Sequence, residues 1–174
     1  MADIEHHVQR NTPRCLGTVR ARAIEPFAER GDVAAAYSLS RSVSAETVAE
    51  ILGFDLSDYN RDYAGPVEFI SPLALRWKGT KESDIVFDSD IHGYHGELQA
   101  SAKLRGDGEP KTFVCPACGN SLFGVSMQFD YSGACEDLRD DEPDLPIQDY
   151  FSNIVIRGMC VECGAEAVVL DMDV

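Results

Sequence analysis

Apolar and polar positions along the chain fall into successive regimes. Residues 1–16 show no apolar period, and Asn11-Thr12-Pro13 is a turn signal, so this stretch is expected to be a flexible arm. Beyond it, Ala23, Phe27 and the run 34–39 supply apolar positions of a helical segment, punctuated by Pro26 and Gly31. A better-marked helix follows. Ser44 suits an N-cap, and Val43 and Val48 occupy the two positions of a hydrophobic staple. Val48, Ile51 and Leu52 share one face, and Gly53 suits a C-cap. Residues 55–62 form a polar turn or short helix. From Pro66 the pattern changes to short runs bounded by Pro, Gly and Ser, which predict strands at 67–70, 73–77, 85–87 and 97–104. Residues 105–110, rich in Gly and closed by Pro, predict a linker.

Strand-like runs resume after the linker. Leu122, Val125, Met127 and Phe129 form one, Phe151, Ile154 and Ile156 a second, and residues 167–170 a third. Two cysteine pairs punctuate them: Cys115-Pro116-Ala117-Cys118-Gly119 and Cys160-Val161-Glu162-Cys163-Gly164. In a C-x-x-C turn two sulfurs reach one ion at about 2.3 Å, and the following glycine permits the positive φ that turns backbone amides toward the thiolates. A single pair is compatible with redox chemistry. Two pairs with matched glycines point to one zinc ion held by Cys115, Cys118, Cys160 and Cys163.

Over residues 112–174 this pattern resembles the zinc-ribbon fold group, two knuckles joined to a small antiparallel sheet. The resemblance implies a fold and leaves function open, because such ribbons serve in transcription and translation factors, enzymes and interaction modules. The 41 residues between Cys118 and Cys160 exceed the compact form. The expected class is therefore α+β: an N-terminal helical segment and a small β-rich region, then a C-terminal antiparallel zinc ribbon with four cysteine ligands. The expected divisions are an arm at 1–16, a helical and β-rich region at 17–107, and a ribbon domain at 108–174 with an acidic insertion at 134–150. A closed site of four cysteines has no open position for water, which makes the zinc structural.

Charge narrows the partners. The chain carries 15 basic and 30 acidic residues, net −15, and residues 111–174 hold 3 basic against 12 acidic. Such a surface repels phosphate backbones and attracts basic proteins. Glu136, Asp137, Asp140, Asp141 and Glu142 are the candidate partner contacts, with a solvated loop as the plain alternative. No run approaches a membrane span of about 18 apolar residues, and the polar N-terminus lacks the apolar core of a secretory signal, so a cytoplasmic setting with reduced thiols is expected.

Three further candidates lie outside the cysteine pairs. His92 and His95, flanked by Asp90 and Glu97, make a metal or catalytic site only if a turn lets them converge, since residues three apart on a strand face opposite ways. Cys15 and Cys135 lack a neighbouring base and read as buried or incidental thiols. Residues 44–63 vaguely resemble the start of a helix-turn-helix, but Asp55, Asp58 and Asp62 oppose a DNA backbone. The functional expectation is a non-enzymatic zinc protein that binds a basic protein, for example an inhibitor or immunity-type protein blocking a nuclease. The alternatives are a ribbon-bearing transcription regulator contacting polymerase or DNA, and a metal-dependent enzyme using His92 and His95.

Overall fold

Period-two alternation, not the helical period, governs the N-terminal half. A computed structural model describes residues 13–29, 32–92, 104–131 and 151–173. After a 3-10 turn at Arg14–Thr18, β1 (Arg20–Glu29) and β2 (Asp32–Ser40) form an antiparallel hairpin that pairs Ala23 with Tyr37. On β2, Ala35, Tyr37 and Leu39 are buried, while Ala36 and Ser38 between them are half-buried. The expected α+β class with an N-terminal helical segment is thus corrected: the chain is mostly antiparallel β, curled into a half-barrel. Alanine favours a helix by only a few tenths of a kcal/mol per residue over most neighbours, roughly, and burying Tyr37 and Leu39 against one core outweighs that preference.

The helix expected from Ser44 to Gly53 is also replaced, by a turn and a strand. Ala45 takes a left-handed φ of 57°, Arg41 N–H donates to the Glu46 carbonyl, and the Glu46 carboxylate accepts the N–H groups of Thr47 and Val48. Strand β3 (Val48–Asp55) then buries Ala49 and Ile51 completely. Gly53 lies inside this strand because its neighbour is Phe69: a Cβ there would stand 2.5 Å from Phe69 Cδ2. Of the stretch 44–63 that resembles the start of a helix-turn-helix, the helical part is four residues, α1 (Leu56–Tyr59), capped by the Asp55 carboxylate on Ser57 N–H.

The run at 73–77 and the second half of that at 67–70 merge into one strand, β4 (Phe69–Trp77), with Val67 and Glu68 outside it, and its register against β3 shifts between Leu52 and Phe54. Pro72 sits opposite that irregularity, where a missing N–H costs the ladder least. β5 (Ser83–Phe87) pairs with β4 and leads into a one-turn helix, α2 (Ser89–His92). The expected strand at 97–104 lies outside the described residues except for Leu104, which is not in a strand. A polar clasp centred on buried Asp88, Ser71 and Ser89 joins the end of β5 to Arg105. Asp88 caps α2 through Asp90 N–H and accepts from Arg105 at 3.0 Å, and Ser71 Oγ accepts Ser89 N–H.

Residues 105–107 are tethered rather than loose. Arg105 bridges to Ser71, and Gly106 N–H donates to the Ser71 carbonyl at 2.7 Å. β6 (Lys111–Thr112) runs antiparallel to β3, and Phe113 N–H donates to the Ile51 carbonyl. β7 (Phe123–Tyr131), β8 (Asn153–Cys160) and β9 (Glu166–Asp173) complete nine strands among the described residues, all in one sheet. β7 is the junction. Its first two residues pair with Ala49 and Val48 of β3, residues 126–131 pair with β2, and its other edge pairs with β8 along its length. One core fills the curve, with Trp77, Phe69, Phe87, Phe113, Phe123 and Phe129 fully enclosed. No helix among the described residues is long and apolar enough to cross a membrane.

Candidate metal centre

Two short stretches of similar design build the centre. In the first, Cys115 N–H donates to the Asn120 carbonyl at 2.8 Å, and Gly119 N–H returns to the Cys115 carbonyl at 2.8 Å. In the second, Cys160 N–H donates to the Ala165 carbonyl and Gly164 N–H to the Cys160 carbonyl, both at 2.9 Å. Gly119 and Gly164 have φ of 77° and 72°, the left-handed conformation that a side chain disfavours. A further bond from Val161 N–H to the Leu122 carbonyl ties the second turn to the first.

The sheet brings the turns together. β3 guides β6 and Phe113 into the first turn, and β8 ends in Cys160, which pairs with Phe123 at the start of β7. Phe113 is wedged between Phe69 and Phe123, with ring centroids 5.4 and 5.6 Å away. Cys115 and Cys160 are each 2% exposed and belong to the main core, whereas Cys118 and Cys163 face solvent. The centre is therefore sunk halfway into the protein.

Its four Sγ atoms all lie within 4.8 Å of one another, at metal-binding distance. Cys115 faces Cys163, and Cys118 faces Cys160, each across 3.6 Å. Among the described residues this is the one group of three or more His, Cys, Asp or Glu side chains that could hold a metal ion. Electrostatics divides the sulfurs. The backbone N–H of Cys163 and the Asn120 amide hold Cys160 down to about 6. Cys118 receives the Asn120 backbone N–H, yet burial and the sulfurs of Cys163, Cys160 and Cys115 push it up. Thiols this close resist ionising together, and a cation among them removes the conflict.

Sequence reasoning alone misses Asn120. Its amide donates to Cys160 Sγ at 3.5 Å and to the Leu122 carbonyl at 3.0 Å, supporting one of the four sulfurs and bracing the turn. The available signal is its position two residues after Cys118, where a polar side chain can reach back over the glycine. The other candidates are placed as follows. Cys15 is fully buried in the core. His92 ends α2, but its side chain lies outside the described residues, as do His95 and Cys135. The proposed contacts Glu136, Asp137, Asp140, Asp141 and Glu142 lie outside them too. The cysteine cluster therefore stands without a relative to lend it a role: no family model, curated protein or solved structure matches this chain.

Proposed function

We propose that this chain is a non-enzymatic zinc-binding protein that works by binding another protein, and that its acidity selects a basic one. The observation that carries the reading is the closed set of four cysteine sulfurs. A tetrahedral ion with bonds of about 2.3 Å places its sulfurs about 3.8 Å apart, close to the two 3.6 Å separations. Four soft thiolates suit zinc, and they leave no position for a water or substrate. The ion would hold the two turns against the sheet, and Cys115, Cys118, Cys160 and Cys163 would be its ligands. What remains to act is surface, and with a net charge of −15 that surface favours a basic partner. An inhibitor or immunity-type protein covering a basic enzyme such as a nuclease is the concrete form of this reading.

The test has two stages. Elemental analysis of the untagged chain is expected to give one zinc per molecule; iron, or no metal, would overturn the metal assignment. Binding to a basic ribonuclease is then compared with binding to an acidic control protein at about 50 and 500 mM salt. Association with the basic protein alone, weakening as salt screens the charges, supports the reading. Binding that ignores salt would remove charge as the selector.

A further inference from the structure

Val48 on β3, Gly124 on β7, Met159 on β8 and Glu166 on β9 are directly opposed positions that form a row across the sheet. The row lies on the outer face, since Phe123 and Val125 on either side of Gly124 point into the core. A Cβ placed on Gly124 would meet no atom within 4 Å. The row therefore contains a notch, with Val48 on one side and Met159 on the other. It forms part of the floor of a groove of about 570 Å³, whose walls include Ile24 of β1 and Val161 of the second cysteine turn. Ile24, Met159 and Val161 expose 47%, 53% and 51% of their surface. Apolar side chains gathered around an empty glycine position make a contiguous patch, which scattered exposed residues do not.

Charge decides what fits there. Arg157, on the groove wall, is already engaged: it donates to Gln128 Oε1 at 2.9 Å and lies 3.8 Å from Glu166. Glu166 is more than half exposed, and Glu162 follows Val161 on the open side of the turn. Among the described residues the only charged side chains lining the groove, Arg157 and Glu166, pair with each other, so the charge of the chain as a whole decides: a second copy would bring a net charge of −15 against an equal −15, which opposes self-association. We infer that the groove seats an apolar side chain of a basic partner protein over Gly124, with a lysine or arginine of the same segment against Glu166. This rests on the reading of the chain as a binder of basic proteins, and it names the face used: the outer sheet beside the metal centre.

The experiment uses the full chain and three capped pentapeptides, Ser-Lys-Leu-Lys-Ser, Ser-Glu-Leu-Glu-Ser and Ser-Lys-Ser-Lys-Ser, followed by methyl NMR. The lysine–leucine peptide is expected to shift the Val48, Met159 and Val161 methyl signals saturably. The other two are expected to bind about tenfold more weakly, the worth of one buried leucine or of the charge contacts. Gly124→Val fills the notch and is expected to weaken the lysine–leucine peptide about tenfold while keeping its metal and its core methyl spectrum. Met159→Ser, at an exposed wall position, is expected to act in the same direction. Equal binding by both variants would overturn the groove. So would a dimer of the parent chain that Gly124→Val dissolves. Lysine peptides that shift only signals from residues 136–142 would overturn the groove and leave the basic-partner reading standing. Lysine peptides that bind nowhere up to millimolar concentration would overturn both.

Discussion

Asn120 acts on the cysteine centre without being one of its sulfurs. Its amide reaches Cys160 Sγ and the Leu122 carbonyl at once, so it fixes the direction of one sulfur and the path of the chain leaving the first turn. Donors of this kind typically change metal affinity by about 10–100-fold when removed. Asn120→Ala is therefore expected to lower zinc affinity by about that factor, measured by competition with a chelating dye, with little change in the far-UV spectrum. Unchanged affinity would show that the backbone amides alone set the site. Gly53 makes the opposite point, because there the absence of a side chain is the functional feature. Phe69 occupies the space a Cβ would take, so Gly53→Ala is expected to destabilise by about 1–3 kcal/mol in urea unfolding, as overpacked cores do.

At the level of elements, the clasp around Asp88 connects the end of β5 to the residues that return to β4. Burial pulls the Asp88 carboxyl up, but Arg105 and the backbone N–H groups of Asp90 and Ile91 outweigh burial and leave it below its usual 3.8. A carboxyl depressed in the folded state adds stability that is fully present above its unfolded value of about 3.9 and is lost as pH falls through the lower folded value. Acid titration of stability is therefore expected to show a loss below about pH 4 that Asp88→Asn reduces. An unaltered acid limb in the variant would place that loss elsewhere. The two cysteine turns were legible in the sequence because their chemistry is local: C-x-x-C-G specifies spacing, conformation and ligand type within five residues. The β-runs after the linker were legible too, as alternation around Val125, Met127 and Phe129. The first three strands were not. Alanine-rich β2 and the Ser44–Gly53 segment have convincing local helix signals, and only partners distant in sequence, β7 for β2 and β4 for β3, decide otherwise. Gly53 looked like a cap because the Phe69 ring it accommodates is 16 residues further along.

The molecule as a whole joins its cysteine centre to its core. In small zinc peptides the ion contributes about 10–16 kcal/mol of folding energy. Here Cys115 and Cys160 share one cluster with Phe113 and Phe123, so the effect of losing the ion would not stop at the two turns. Chelation is expected to lower the melting temperature of the entire sheet by roughly 10 °C or more, taking several kcal/mol at about 2–4 °C each. A melt unchanged after complete metal removal would show that the core holds the turns without it.

The central position of β7 also sets an order of events. β2 and β3 are made early, yet each meets β7 only after about 70 to 100 further residues have been joined to the chain. Until then β2 pairs with β1 alone, β3 with β4 and, at its far end, with the two residues of β6, and the edges that β7 will take are open to any passing strand. Pairings this remote form slowly. A chain emerging from the ribosome would thus spend its early life incomplete, with its hairpins waiting for a strand still inside the exit tunnel. The second cysteine turn, arriving later again, would close the structure behind it, and if the four sulfurs take up a metal, its supply would bear on how long each new molecule stays at risk of aggregation.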